Sequence, residues 1–546
     1  MAPTFAPSLI DLNDYLGPSQ ICIKPVQQQQ PVSQPAPSLA TTEIRLDGLD
    51  YDFQSTANED LGTLKKAEIT LNDCLACSGC VTSSESILVS LQSDRQLYET
   101  LSTKPNLYPV LSLSAQSLAS LAAYNDIDSM LDAFLSLERF FIDVIGFKLV
   151  LDMGFAQALS LRESRLEFQA RPKQSPLLAS SCPGWICYAE KTQGKEVLQM
   201  ISTVRSAQQI QGALVKSKQM AAVLRLNPEE LYHVSVMSCY DKKLEASRDD
   251  FVSGEKVRDV DCVLTSGEVQ KMIDEKGWDL RKMAQGLRAK AKEFGLSRPE
   301  NQLIPNWIEQ PRPKGSSSGG YLFNVLRSVL LDQPAENASR LTLSVDRKRG
   351  ADYSEFIVTL KPIHQPDDAI EQQLQTPATV LFRGAHCYGF KNLQNLVRKV
   401  KGGTKNPAVT KGRMTNRRRD RMGPGPEAAF DYVEVMACPS GCVNGGGQIP
   451  APKFLTDQTA SNQPPPQVYT AREWVVEVER KYFSDSDPVL DTMISAYQYA
   501  LYERAQENEI DRWLQQWIPL DEDRLRMFRT QYHAVAPETN GFAVQW

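Results

Sequence analysis

Residues 432–450 read YVEVMACPSGCVNGGGQIP. An apolar, β-rich run (Tyr432, Val433, Val435, Met436) leads into Cys438, Pro439 follows, and Cys442 comes four residues after Cys438. Asn444 and three glycines, Gly445, Gly446 and Gly447, close the motif. Physically, a buried strand delivers two thiols at its end and a glycine-rich turn follows. Thiolates prefer soft metals and iron–sulfur clusters. Glycines let the backbone approach a bulky inorganic group and point N–H groups at it. The plainer reading is a strand, a tight turn and two free thiols. The rest of the chain decides between the two.

The chain has 546 residues, enough for about three to four domain-sized units or two large lobes with appendages. A composition of 42% hydrophobic and 23% charged residues is ordinary for a globular protein. The net charge of −6 favours no class of partner. No apolar run approaches the roughly 18–20 residues of a membrane span. The opening MAPTFAPSLIDLNDYLG carries acids and no basic region, unlike a secretory signal or an Arg-rich transit peptide. The expected location is the cytosol, with the nucleus open.

Cysteine usage sharpens the picture. There are 11 cysteines, and in a long chain without a secretory signal clustered thiols point to metal or redox chemistry rather than disulfides. The histidines His233, His364, His386 and His533 lie away from the cysteine clusters, and His386 merely adjoins the isolated Cys387. Cys₂His₂ zinc patterns are therefore poorly supported.

Taken in order, the chain starts with a short segment ending in Ile21-Cys22-Ile23. Residues 25–40, PVQQQQPVSQPAPSLA, are low in complexity and are expected to be a flexible linker. Cys74-Leu-Ala-Cys77-Ser-Gly-Cys80 is the strongest local motif. Three thiolates at this C-x₂-C-x₂-C spacing can wrap one face of a cubane cluster. The x₃-C-P continuation of two-cluster ferredoxins is replaced by Val81-Thr-Ser-Ser-Glu85, so a fourth ligand must come from elsewhere. Cys22 is the candidate, and zinc is the alternative metal.

From residue 105 the pattern becomes α/β. Tyr108-Pro-Val-Leu-Ser-Leu-Ser predicts a buried strand, with Ser114 capping a helix from Ala115 to about Tyr124. Residues 131–153, LDAFLSLERFFIDVIGFKLVLDM, predict a largely buried helix running into an apolar strand, and 155–168 a further helix. Leu231 to Cys239 reads as an alternating strand and 261–265 as another. Pro176-Leu-Leu-Ala-Ser-Ser-Cys182-Pro-Gly-Trp185 reads as a strand-to-turn unit, so three predicted strands end in cysteine, at Cys182, Cys239 and Cys438. Ligands bind at the carboxyl ends of strands in open α/β sheets. One shared site there accounts for Cys182, Cys239, Cys438 and Cys442 together. Cys187, Cys262 and Cys387 sit in apolar surroundings and read as buried structural residues.

Residues 311–320 read as a loop, 321–331 as a helix, 378–382 as a strand and 393–401 as a helix. Between Lys401 and Arg421 eight basic residues face one acid without apolar periodicity. A solvated insertion over 401–424 is expected, with nucleic-acid binding or nuclear targeting as the sharper reading. A Pro-rich linker covers 450–468, and Asp487-Pro488 opens a predicted helix. Trp513, Trp517, Leu525 and Phe528 continue a helical tail that ends at Trp546, a possible peptide-recognition handle.

Three motifs, SSCPGW (180–185), MSCYDKKLE (237–245) and EVMACPSGCVNGGG (434–447), resemble the cluster-binding motifs of iron-only hydrogenases. The likeness runs from about residue 105 to the C-terminal helices. It is nearest to the eukaryotic hydrogenase-like proteins, the nuclear prelamin A recognition factor-like family, in its fungal type. The resemblance implies an α/β fold of two lobes with parallel sheets flanked by helices. To these it adds a small N-terminal iron–sulfur segment (1–104), a core at 105–450 and a C-terminal helical part (451–546). It implies two [4Fe–4S] clusters, one on Cys22, Cys74, Cys77 and Cys80, the other on Cys182, Cys239, Cys438 and Cys442. It also implies a part in cytosolic iron–sulfur protein assembly, between the cluster-building scaffold and the late targeting complex that serves apo Fe/S client proteins. Trp546 would be a docking tag, and neither membrane nor nucleic acid is an expected partner.

One departure bears on activity. Hydrogenases carry a second Cys before the ligand of the first motif, used for proton transfer, where this chain has Ser181. Lys242 matches the hydrogenase lysine near a cyanide ligand, and Cys442 the thiolate that bridges to diiron. Because a serine hydroxyl is far less acidic than a thiol, the expectation is a hydrogenase-like protein without hydrogen chemistry. The alternative is a redox enzyme that retains it.

Overall fold

The computed structural model describes residues 89–171, 176–253, 257–285, 303–308, 310, 312–348, 352–362, 378–403, 430–452, 469–483 and 506–534. Its strands are Tyr108–Leu113 (β1), Leu149–Asp152 (β2), Leu177–Ala179 (β3), Leu231–Met237 (β4), Val252–Ser253 (β5), Val257–Arg258 (β6), Cys262–Thr265 (β7), Leu341–Arg347 (β8), Tyr353–Leu360 (β9), Thr379–Tyr388 (β10) and Tyr432–Met436 (β11). One sheet has the order β2-β1-β4-β7 and is parallel throughout. The other has the order β3-β11-β10-β9-β8; β3, β11 and β10 run parallel, and β9 and β8 add an antiparallel edge. β5 and β6 form a separate short ribbon.

The two-lobed α/β expectation is met, and several elements follow from local chemistry. Ser114 accepts the Ser117 N–H and caps the helix Ala115–Tyr124 as its position predicts. The apolar stretch after it becomes the helix Met130–Arg139, a π-turn at Phe140–Ile145, and β2. Gly146, with φ 99°, supplies the left-handed residue that ends the π-turn.

Helices cover both faces of the all-parallel sheet, so β4 is buried at every one of its residues rather than alternating. Leu111, Leu113, Val234 and Val236 pack on one side, against the helices Ala115–Tyr124, Met130–Arg139, Ser266–Glu275 and Ala471–Phe483. Val110, Leu151 and Leu231 pack on the other, with the helices Gly154–Ala170 and Ala207–Val215 and the helical residues 506–517. The helix Gly154–Ala170 serves both lobes. Phe155 and Leu159 belong to the core of the first sheet, while Leu161 and Phe168 pack with Phe382 and Tyr432 of the second.

The face of the first sheet that carries Val110 and Leu231 also buries polar groups, each of which needs a partner. His233 places Nε2 2.9 Å from Ser112 Oγ and Nδ1 2.9 Å from the Asp259 carbonyl. That pairing suits a neutral ring donating from Nδ1 and accepting at Nε2. Asp259 in turn meets Arg205 at 2.7 Å in a buried ion pair. The β8–β9 hairpin was not singled out in the sequence. β9 alternates half-buried and buried residues over most of its length, and the exposed end of β8 weakens the pattern.

Burial drives the His233 pKa down to about 4 from 6.5. Between those values the unfolded chain binds a proton that the folded chain refuses. Stability therefore falls as pH falls through that window, by on the order of 3 kcal/mol for this group. Melting curves between pH 7 and pH 4 should show a steeper loss in wild type than in His233→Gln. Parallel curves would contradict the assignment.

Candidate metal centre

Cys182, Cys239, Cys438 and Cys442 line one cavity of about 120 Å³ between the two sheets. Three loops bring them there. β3 ends at Ala179, and Cys182 sits at the start of the helix Pro183–Thr192, whose proline occupies the first turn. Ser180 fixes this turn by donating to the Val435 carbonyl at 2.6 Å and accepting the Cys182 N–H at 3.0 Å. β4 ends at Met237 and presents Cys239 two residues later, ahead of the helix Asp241–Ala246. β11 ends at Met436 and is followed by Cys438, then by Ser440 and Gly441 with φ 58° and 80°. That left-handed pair turns the chain so that Cys442 opens a 3₁₀ turn facing back to the cavity.

The glycine-rich stretch stitches this loop onto the other lobe. Gly447 donates to the Ser238 carbonyl and accepts from the Gly267 N–H, both at 3.0 Å. A Cβ on Gly445 would stand 2.4 Å from that same Ser238 oxygen, so only glycine allows the approach. The glycines hold the two cysteine loops against each other.

Electrostatics favour an anionic group in the cavity. Gly154, Pro183 and Ala207 line it as the first residues of their helices. Their N-caps Met153, Cys182 and Ser206 make no side-chain cap bond. The Asp152 carboxylate takes the Gly154 N–H at 2.7 Å, so the helix ends at Pro183 and Ala207 are the two that direct partial positive charge at this space. The thiols themselves resist ionisation without a cation. Burial, then Asp241 and Cys442, pushes the Cys182 pKa up to about 12. Cys239 and Cys438 lie well above the usual thiol range, mainly by burial and then through Asp241 and the neighbouring thiols. Cys442 is also raised by burial, but hydrogen bonds from Ser318 and Ser181 and the Lys242 charge pull against it. Bound iron would supply the positive charge that four thiolates in this cavity lack. Among the described residues no three Cys, His, Asp or Glu side chains converge on the position of a single metal ion. Four cysteine thiols lining one cavity are a donor set that fits an iron–sulfur cluster.

Ser181 and Lys242 line the same cavity. The Lys242 ammonium is tied to Glu245 at 2.8 Å, and Gln208 bonds both the Lys242 carbonyl and Glu245. Residues 506, 507 and 510 line the cavity's outer side, and their segment is tied to the helix Gly154–Ala170 where Arg162 meets Asp511 at 2.7 Å and Arg165 meets Glu507 at 3.0 Å. Cys262 and Cys387 are buried core residues as expected. Cys187 is not; one helical step beyond buried Ile186, it turns toward the surface and is half-buried. Cys22, Cys74, Cys77, Cys80, Trp546, the basic stretch 404–421 and the helix predicted at Asp487-Pro488 lie outside the described residues. The sequence reading passed over Ser318, which accepts the Cys442 N–H at 2.9 Å. Its SSSGG setting looks like any loop, and only the fold brings it to Cys442.

The family described as iron only hydrogenase large subunit, C-terminal domain, matches residues 110–446. The cytosolic iron-sulfur assembly component 3 of Rattus norvegicus is 38% identical, covering 98% of this chain and 98% of its own length. The cytosolic Fe-S cluster assembly factor NAR1 homolog of Schizosaccharomyces japonicus is 34% identical over 97% of each chain. Among solved structures, an apo [FeFe]-hydrogenase HydA1 variant from Chlamydomonas reinhardtii superposes with a TM-score of 0.52 at 21% identity, over 81% of this chain and 98% of that one. That likeness speaks for the fold alone.

Gly445→Ala is expected to lower the stability of the apo-protein by about 1–3 kcal/mol, the usual cost of overpacking. Gly446, where a Cβ would meet nothing within 4 Å, should tolerate alanine within about 0.5 kcal/mol. Thermal unfolding of the pair checks this, and equal midpoints would refute the seam.

Proposed function

The chain belongs to the iron-only-hydrogenase-like family of cytosolic Fe–S cluster assembly factors, and from that membership we propose that it acts in cytosolic iron–sulfur protein assembly as a carrier of two [4Fe–4S] clusters. One would be held by Cys22, Cys74, Cys77 and Cys80, the other by Cys182, Cys239, Cys438 and Cys442. The observation that carries the reading is the convergence of the last four, from three loops of two sheets, on one cavity. A bound cluster supplies four irons for the thiolates and a site for one-electron exchange.

The chain's own groups do the rest. The glycine turn lets the backbone come close, and the helix ends favour negative charge. Ion pairs tie residues 506–517 to the helix beside the cavity. A site between two lobes suits a stable cluster, whereas the C-x₂-C-x₂-C motif beside a low-complexity linker suits a labile one. In this reading the protein links the cluster-building scaffold to the late targeting complex and hands clusters on to apoproteins. Trp546 serves as a docking tag.

A second reading, a redox enzyme with hydrogenase-type chemistry, draws on Lys242 in the cavity wall. Ser181 counts against it, since its hydroxyl donates weakly toward the Ser318 carbonyl at 3.4 Å and is a poor acid. Infrared bands of bound carbon monoxide and cyanide would favour this second reading.

Anaerobically purified wild type should hold about eight irons per chain, with acid-labile sulfide to match. Cys77→Ala and Cys438→Ala should each lose roughly half of them. Iron unchanged in Cys438→Ala would reject the strand-end site. Removing Trp546 should weaken capture of the late targeting complex while leaving iron content unchanged; undiminished capture would reject the docking role.

A further inference from the structure

Glu434 is fully buried in the middle of β11. A carboxylate there is costly unless every oxygen is satisfied. Oε2 accepts the Leu322 N–H at 2.8 Å, and Oε1 accepts the Tyr388 hydroxyl at 2.7 Å. His386 Nε2 lies 3.5 Å from Oε2. Burial works to raise the pKa of Glu434, but His386 and these two donors outweigh it and hold the carboxyl below the usual range.

The Tyr388 donor is spent on Glu434, so Tyr388 can only accept from the Ser316 hydroxyl that faces it. Ser316 Oγ accepts the Ser318 N–H at 3.0 Å. Ser318 Oγ accepts the Cys442 N–H at 2.9 Å, which sets that hydroxyl beside the cysteine. The line of contacts is continuous: a carboxylate in the sheet, a phenol, two serines and a cysteine. It has one direction, because the carboxylate can only accept.

We propose that Glu434 is a positioning residue for Cys442: through Tyr388, Ser316 and Ser318 it sets a hydroxyl against the sulfur and tunes the group bound there. The proposal rests on the reading of Cys442 as a cluster ligand. Hydrogen bonds to a ligating sulfur stabilise the more negative, reduced state and raise the reduction potential. Cys442 is distinguished in this way from Cys182, whose sulfur meets backbone N–H groups, that of Ala437 at 3.5 Å. Glu434 thus has a use beyond holding Leu322.

The test compares full-length, anaerobically purified wild type with Glu434→Gln, Tyr388→Phe and Ser318→Ala. Iron content, the reduction potential of the strand-end cluster by EPR-monitored titration, and amide exchange of residues 438–445 are read together. Glutamine can satisfy only one of the two donors with its single oxygen, and phenylalanine cuts the line without touching Leu322. Iron should be retained in all three variants, the potential should move to more negative values, and the Cys442 amide should exchange at least about tenfold faster. Tyr388→Phe keeps the test open if Glu434→Gln fails to fold. A merely structural role would lower the melting temperature and leave the potential where it was. Full iron with unshifted potentials in Tyr388→Phe and Ser318→Ala overturns the proposal. Iron at wild-type level in Cys438→Ala overturns it in another way, by removing the cluster site on which it rests.

Discussion

The hydrogen bond from Gly447 to the Ser238 carbonyl joins the end of a strand in one sheet to the end of a strand in the other. Most of the site depends on that seam. β4 and β11 do not share a sheet, so no ladder bond sets the spacing between Cys239 and Cys438. It is set by how closely the glycine turn can lie on Ser238, and a Cβ at Gly445 leaves no room for that approach. Gln448 and Ile449 extend the contact by bonding Gln116 and Ser120 of the first lobe.

Around the seam the fold concentrates features that would be unfavourable without a ligand. Four buried or half-buried thiols have raised pKa values, and the helix ends at Pro183 and Ala207 lack a side-chain cap from their N-cap residues. Sites that bind charged groups commonly retain such local costs, because the ligand offsets them. Here the costs are complementary: thiolates need positive charge from iron, and the anionic assembly they would form suits the helix ends. The C-terminal part reinforces the arrangement. Thr530 and Arg529 pair with Thr203 and Val204 behind the Cys182 loop, and Tyr532 donates to Ser202.

The family likeness and the local chemistry pull in different directions at one residue. The hydrogenase-like architecture and the cysteine loops are kept, but the position before Cys182 holds a hydroxyl. Ser181 donates toward the Ser318 carbonyl, and Ser318 Oγ accepts the Cys442 N–H. Hydroxyl groups in that place fit the tuning of a held cluster better than the transfer of protons. This accords with relatives that are named assembly factors.

Much was legible in the sequence because the rules that govern it are local. A strand that ends in cysteine, a serine before a helix and a glycine run each declare themselves within a few residues. Cys182, Cys239, Cys438 and Cys442 could be named, and so could the helix beginning at Ala115. Cys187 was misjudged because its exposure depends on which way one helix faces, and the β8–β9 hairpin was passed over because its edge strand is exposed. Ser318, Tyr388 and Glu434 had no local signal at all. The sequence by itself determined where the thiols fall relative to the strand ends, the order of the elements and the family. The tertiary structure alone decided that two different sheets supply one site, that a serine loop far along the chain reaches Cys442, and that a carboxylate inside a strand is anchored there. Donor chemistry belongs to each residue, whereas distance across a seam depends on the packing of whole lobes.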